Sequence, residues 1–242
     1  AASANGRIYA IGGFDGGSRL SKVECFDPGR GQWQGLPELA SGRSGVAAVA
    51  LGGEVYVMGG GGINKQLDVV ERYSPDKGVW ELLPPLTVPR RGAAAAAVHG
   101  RVYVIGGSSQ ARQYLSSAEC FDPATNTWEV LPPMATARKW CGAVTVGRHI
   151  YVVGGSNGKK ALATVERFDV VAKKWTTLAP LRVPRYGTAT VSVLGQVYAV
   201  GGHNGWEVLN SIEVFSPSTS SWELVPPMKT ARSAATCAVF WS

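Results

Sequence analysis

No apolar run in the sequence approaches the ~20 residues that a membrane-crossing helix needs, so the chain is not expected to span a bilayer with helices. Only 17% of its 242 residues are charged, and no run of five or more like charges occurs. That leaves no acidic tail and no basic stripe of the kind nucleic acid selects. Histidine is scarce, at three residues, and the four cysteines show no CxxC spacing, which removes the common zinc and redox motifs. G-x-S-x-G, H-E-x-x-H and Walker A sequences are all missing. No segment of ten or more residues has helical periodicity, so a helical bundle is excluded. Ala1–Asn5 carry no basic or long apolar leader pattern, and no signal peptide is expected. Free thiols and a cytoplasmic location follow as the simplest expectation.

What the sequence does have is glycine, 31 residues, with 14 prolines and 45% hydrophobic residues. That mixture suits many short strands joined by tight turns. It also repeats. Gly-Gly pairs begin at Gly12, Gly59, Gly106, Gly154 and Gly201, and three residues before each stands Tyr9, Tyr56, Tyr103, Tyr151 or Tyr198. Glu24, Glu71, Glu119, Glu166 and Glu213 each precede Trp33, Trp80, Trp128, Trp175 or Trp222 by nine residues. Ten residues after each Trp comes Arg43, Arg90, Arg138, Arg185 or Arg232. Five residue types recurring five times at fixed spacing define a repeat of about 47 residues.

Each repeat reads as four short strands. Strand a is small and apolar, as in Gly45–Leu51, and strand b carries the Tyr, as in Val55-Tyr56-Val57-Met58. Strand c carries the Glu and an aromatic two residues on (Phe26, Tyr73, Phe121, Phe168, Phe215). A turn such as Asp122-Pro123-Ala124-Thr125-Asn126 leads to strand d near the Trp. One such sheet cannot bury both its faces, whereas radially arranged sheets cover one another. The fold class expected is therefore all-β, a propeller of five four-stranded blades, with a six-bladed parent cut short as the alternative.

The pattern Gly-Gly, Glu-x-Phe/Tyr-Asp-Pro, Trp, Pro-Met, Arg resembles the Kelch repeat over essentially the whole chain, residues 151–175 being a typical instance. The resemblance is strongest to the propellers of BTB–Kelch adaptors, which present substrates to cullin-based ubiquitin ligases. Those propellers usually have six blades, and no BTB or BACK sequence is present here. One domain, 1–242, is expected, with repeats near 1–42, 43–89, 90–137, 138–184 and 185–231, and with 232–242 supplying a closing strand. By repeat alignment Ala1–Ala4 and Cys237–Phe240 compete for one strand position.

In an antiparallel blade the a–b and c–d turns lie at one end, and the b–c and d–a loops at the other. The only length change among the repeats falls in a b–c loop, where Gly107 to Glu119 spans twelve residues against eleven elsewhere. Variable loops on a rigid scaffold are where binding usually sits. In the resembling adaptors, residues just after Gly-Gly and just after the recurrent Arg line a bowl that grips a peptide. Carried across, the bowl comprises Phe14, Ser44, Ile63, Arg91, Gln110, Lys139, Trp140, Asn157, Tyr186, His203, Trp206 and Ser233. Arg91 and Lys139 beside Trp140 and Tyr186 imply a protein or peptide partner with an acidic or phosphorylated segment. The Arg and Glu of every repeat are expected to be structural, bonding backbone or each other between strands.

No catalytic residue, metal or cofactor is expected. Some Kelch propellers are enzymes, but His99 and His149 fall near a–b turns, opposite His203, and cannot converge with it. Asp15, Asp68 and Glu207 lie near the bowl, yet nothing in the sequence selects them for acid–base work over solvated loop charges. A protein-interaction module is therefore expected, monomeric as a propeller. A ligase substrate receptor is its sharper form, and a cytoskeletal (actin-type) scaffold is the alternative. Nucleic acid is not expected.

Overall fold

In a computed structural model that describes residues 1–110 and 113–237, the chain forms five four-stranded antiparallel sheets, each in simple sequential order. The first sheet is β1 (Ala2–Ala4), β2 (Arg7–Phe14), β3 (Arg19–Asp27) and β4 (Gln32–Leu36). The second is β5 (Ala47–Leu51), β6 (Glu54–Met58), β7 (Val70–Ser74) and β8 (Val79–Leu83). The third is β9 (Ala94–Val98), β10 (Arg101–Ile105), β11 (Ala118–Asp122) and β12 (Thr127–Leu131). The fourth is β13 (Gly142–Val146), β14 (His149–Val153), β15 (Val165–Asp169) and β16 (Lys174–Leu178). The fifth is β17 (Ala189–Val193), β18 (Gln196–Val200), β19 (Ile212–Ser216) and β20 (Ser221–Val225).

The chain divides into two compact units. One holds the first two sheets and the third, apart from Ile105, Ala118 and Leu131 at strand ends; the other holds the fourth and fifth sheets. The strand position contested between the chain ends belongs to Ala2–Ala4, which pair with β2 as Ala2↔Tyr9, Ser3↔Ile8 and Ala4↔Arg7. The strand expected from 232–242 falls in part on residues outside those described. Residues 233–237 are in no strand, and Ala238–Ser242, including Phe240 and Trp241, lie outside the described residues.

Within each unit the apolar cores form between consecutive sheets. Tyr9, Ile11 and Val23 of the first sheet pack with Val55, Val57 and Tyr73 of the second. Tyr56, Met58 and Val70 pack with Val102, Val104 and Phe121. In the other unit Tyr151, Val153 and Val165 pack with Val197, Ala199, Phe215 and Trp222. The strand-c aromatic and the strand-d Trp are direct cross-strand partners, as in Phe168↔Trp175 and Phe215↔Trp222. Their rings sit 4.8 and 5.2 Å apart, within the range of favourable tilted aromatic pairs.

The burial of these Trp side chains varies from sheet to sheet. The indole Nε1 of Trp80 donates to the carbonyl of Pro37 at 2.8 Å, and that of Trp175 to Pro132 at 2.8 Å. Trp222 donates to Ala179 at 3.0 Å and is only 4% exposed. Trp33, at the equivalent place in the first sheet, is 54% exposed.

The recurrent Arg and Gly-Gly form one device. The first glycine of each pair has a positive φ, and a Cβ on Gly154 would lie 2.4 Å from the carbonyl oxygen of Arg185. The same 2.4 Å approach holds for Gly59 to Arg90 and Gly201 to Arg232. A side chain there would collide with backbone, so only glycine fits. The amide of the second glycine then donates to that carbonyl, as Gly155 does to Arg185 at 2.8 Å.

The guanidinium of the same Arg reaches forward into the next sheet. Arg138 donates from Nη1 to the carbonyls of Gly154 and Thr164, both at 2.8 Å, and from Nη2 to Glu166 at 2.6 Å. Arg185 repeats this with Gly201, Ser211 and Glu213, and Arg90 pairs with Glu119 at 2.8 Å. Arg43 pairs with Glu71. All eight of these side chains are buried. Each carboxylate also accepts backbone N–H groups, Glu166 from Ala135 at 2.8 Å and Thr136 at 3.2 Å. Burial holds the Arg43 guanidinium down at about 10 and pulls those of Arg90 and Arg185 below their ordinary value. Glu24 and Arg232, the remaining members of the two series, are exposed.

Candidate functional site

The antiparallel order places the b–c loops and the d–a linkers at one end of every sheet. The linker residue after the recurrent Arg is pinned to the b–c loop by backbone bridges: Ser44↔Gly61, Arg91↔Ser108, Lys139↔Ser156 and Tyr186↔His203. Each bridge uses N–H and C=O in both directions, as between Tyr186 and His203 at 3.0 and 2.9 Å. A rigid backbone frame therefore carries side chains that differ from sheet to sheet.

In the unit holding the first sheets, the expected bowl residues divide. Ile63 is 79% exposed and Gln110 is exposed. Arg91 is half-buried, its side chain laid against Gly61, where an added Cβ would meet Arg91 Cδ at 2.9 Å. Phe14 is exposed but belongs to β2, paired with Arg19, because the hairpin continues past Gly12-Gly13 to a short turn at Asp15–Ser18. That turn is fixed by the Asp15 carboxylate, which accepts the amides of Gly17 and Ser18 at 2.9 and 2.7 Å. These bonds, that of Ser18 foremost, hold the Asp15 carboxyl below its ordinary value. Ser44 is corrected from a surface contact to a buried residue, 7% exposed. Its short side chain cannot emerge from the bridge to Gly61.

The second unit carries aromatic and cationic groups on its loops. The Lys139 ammonium stands 4.9 Å from the centroid of the Tyr114 ring, within cation–π range. The Tyr186 and His203 rings stack at 5.2 Å and 27°. Trp206 is 92% exposed at the tip of its loop, where the Asn204 side chain accepts the amides of Trp206 and Glu207 at 2.8 and 2.9 Å. His203 Nδ1 accepts the Gly205 amide at 2.9 Å. Asn157 is used in the same way as Asn204, its Oδ1 accepting the amides of Lys159 and Lys160 at 3.1 Å each. Trp140 is half-buried with φ of 55°, and its carbonyl accepts the Gly187 amide at 2.8 Å. Ser233 is exposed.

Tyr114 was not among the residues singled out from the sequence. It stands in the third b–c loop, the one with the additional residue, and that insertion was the available signal. Gly158 makes its place, since a Cβ there would lie 2.5 Å from the Tyr114 ring.

His99 lies in the β9–β10 turn, and His149 opens β14, 3.4 Å from Asp169. Among the described residues no three His, Cys, Asp or Glu side chains are placed to hold a metal ion. Cys25, Cys120, Cys141 and Cys237 are in no disulfide. Among the described residues no helix is long and apolar enough to cross a membrane.

The family model for the KLHDC2/KLHL20/DRC7 Kelch-repeats domain matches residues 84–241, and the Kelch motif matches residues 1–40 and 42–87. The chain belongs to the Kelch-repeat family. Among curated proteins none matches it. The solved structure of YjhT matches at 17% identity with a TM-score of 0.85, covering 97% of this chain and 85% of that one. Such a likeness shows the fold, an all-β propeller type built of five four-stranded blades here. Kelch propellers generally mediate protein–protein interaction.

Proposed function

We propose that this Kelch domain is a non-catalytic interaction module that holds a segment of a partner protein on its b–c and d–a loops. The observation that carries this reading is a division of labour within the repeat. Four Arg–Glu pairs, present in every sheet after the first, are buried and spent on structure. The polar and aromatic groups that differ between repeats (Lys139 over Tyr114, Tyr186 on His203, Trp206) are presented at the loop end. Exposed aromatics on pre-formed turns bury area at low entropic cost, the usual chemistry of interface hot spots. An acidic or phosphorylated segment suits the net charge of +7. Service as the substrate receptor of a cullin-based ubiquitin ligase is the form of this function that the BTB–Kelch resemblance favours.

Selection of displayed 12-residue random peptides on the intact domain tests the reading. Tyr186→Ala with Trp206→Ala should weaken the selected peptides by about 30-fold or more, as expected for two anchoring aromatics, with the thermal melt almost unchanged. Peptides that bind both proteins equally would count against the loop end as the site.

A further inference from the structure

Between the first two sheets, at the same loop end, lies an open cleft of about 680 Å³ whose walls include Ser18, Arg19, Ser41, Ile63, Lys65 and Leu67. It forms because Gly42 lets the linker run against β3, where a Cβ on Gly42 would meet the Arg19 carbonyl at 2.3 Å. The Arg43 amide then donates to Leu20 at 3.0 Å. The opposite wall is the 62–67 turn, closed by the Gly62 amide donating to the Lys65 carbonyl at 2.8 Å.

The charge in this cleft is one-sided. Arg19 and Lys65 both line it, and no Asp or Glu is among its lining residues. Arg19 Nε is buried and has no hydrogen-bond partner, and among the described residues Arg19 forms no ion pair. The nearby Asp15 carboxylate is turned to the amides of its own loop. A guanidinium without a carboxylate partner favours an anionic ligand, which gains charge-assisted hydrogen bonds from it. Beside the cations, Ile63 and Leu67 supply an apolar wall.

We propose that this cleft seats the side-chain carboxylate of an Asp or Glu in the partner, with an apolar neighbour of that residue against Ile63 and Leu67. The proposal rests on the peptide-binding reading and places its acid recognition at Arg19 and Lys65. Arg91 and Lys139, the cations the sequence singles out, lie against Gly61 and Tyr114 respectively. The guanidinium takes the carboxylate in a fork, and the more exposed ammonium adds a point charge.

The test uses the full chain, ¹⁵N-labelled, titrated with acetyl-Glu-Leu-amide, its Gln counterpart and its phosphoserine counterpart. The Glu probe should shift the amides of Gly17, Ser18, Ser41, Gly42 and Gly62 saturably, with the Gln probe at least about 10-fold weaker. Arg19→Gln with Lys65→Gln should lose the Glu response about 10-fold or more with spectral dispersion retained, and Arg19→Lys should retain part of it. Equal response to Glu and Gln, or a Glu response that survives the double change, overturns the proposal. Binding of phosphoserine alone overturns the carboxylate assignment. If selected peptides bind through Tyr186 and Trp206 while the Glu probe leaves the cleft unmoved, the cleft fails and the interaction reading stands. If the Glu probe binds and no longer peptide does, the interaction reading fails and the cleft stands.

Discussion

Arg138→Met should lower the unfolding free energy by about 3–5 kcal/mol, the cost of stranding one partner of a buried ion pair. The substitution removes donors to the carbonyls of Gly154 and Thr164 and leaves the Glu166 carboxylate buried with only the Ala135 and Thr136 amides. Glu166→Leu on the same background should restore part of the loss, because an apolar pair of similar volume avoids the desolvation cost altogether. Urea melts of the two single variants and the double variant supply the coupling between the sites. A single-variant loss below about 1 kcal/mol would mean that the pair behaves as a surface contact, against its burial. The same change at Arg232, which is exposed, should be nearly silent.

The tryptophans should divide by position and not by residue type. Trp222→Ala should cost about 3–5 kcal/mol, since the ring is 4% exposed, packed at a tilt against Phe215 and hydrogen-bonded to the Ala179 carbonyl. Trp206→Ala, at 92% exposure, should stay within about 0.5 kcal/mol of the parent. Trp80 and Trp175 should fall between, being half-buried with their indole N–H groups used. Equal losses at Trp206 and Trp222 in denaturant melts would show that scaffold and surface have been confused.

The repeat was legible because the same residue types recur at the same spacing in every blade. Strands b, c and d follow from the Tyr, Glu and Trp positions, and glycine at 12, 59, 106, 154 and 201 follows from a backbone approach no side chain allows. The ionic partner was not legible. A repeat of about 47 residues offers each of the first four Arg one Glu 19 residues before it and another 28 or 29 residues after it, equally regular in the sequence. The choice is made by geometry, for the carbonyl of Arg138 docks on its own sheet's Gly-Gly while its side chain points forward to Glu166. Ser44 misled for a related reason. It shares a frame position with Arg91, Lys139 and Tyr186, but only the longer side chains reach beyond the bridge. Arg19 was missed because its role comes from the linker at Gly42, twenty-three residues away, and not from its own neighbours.

Hydrogen exchange of the domain, free and bound to a selected peptide, addresses the assignment of function to the loop end most directly. Protection is expected at the b–c loops and d–a linkers, 186–187 and 203–208 above all, with the a–b turns at 52–53, 99–100, 147–148 and 194–195 unchanged. Protection confined to those turns, with 186–187 and 203–208 exchanging as in the free domain, would contradict that assignment.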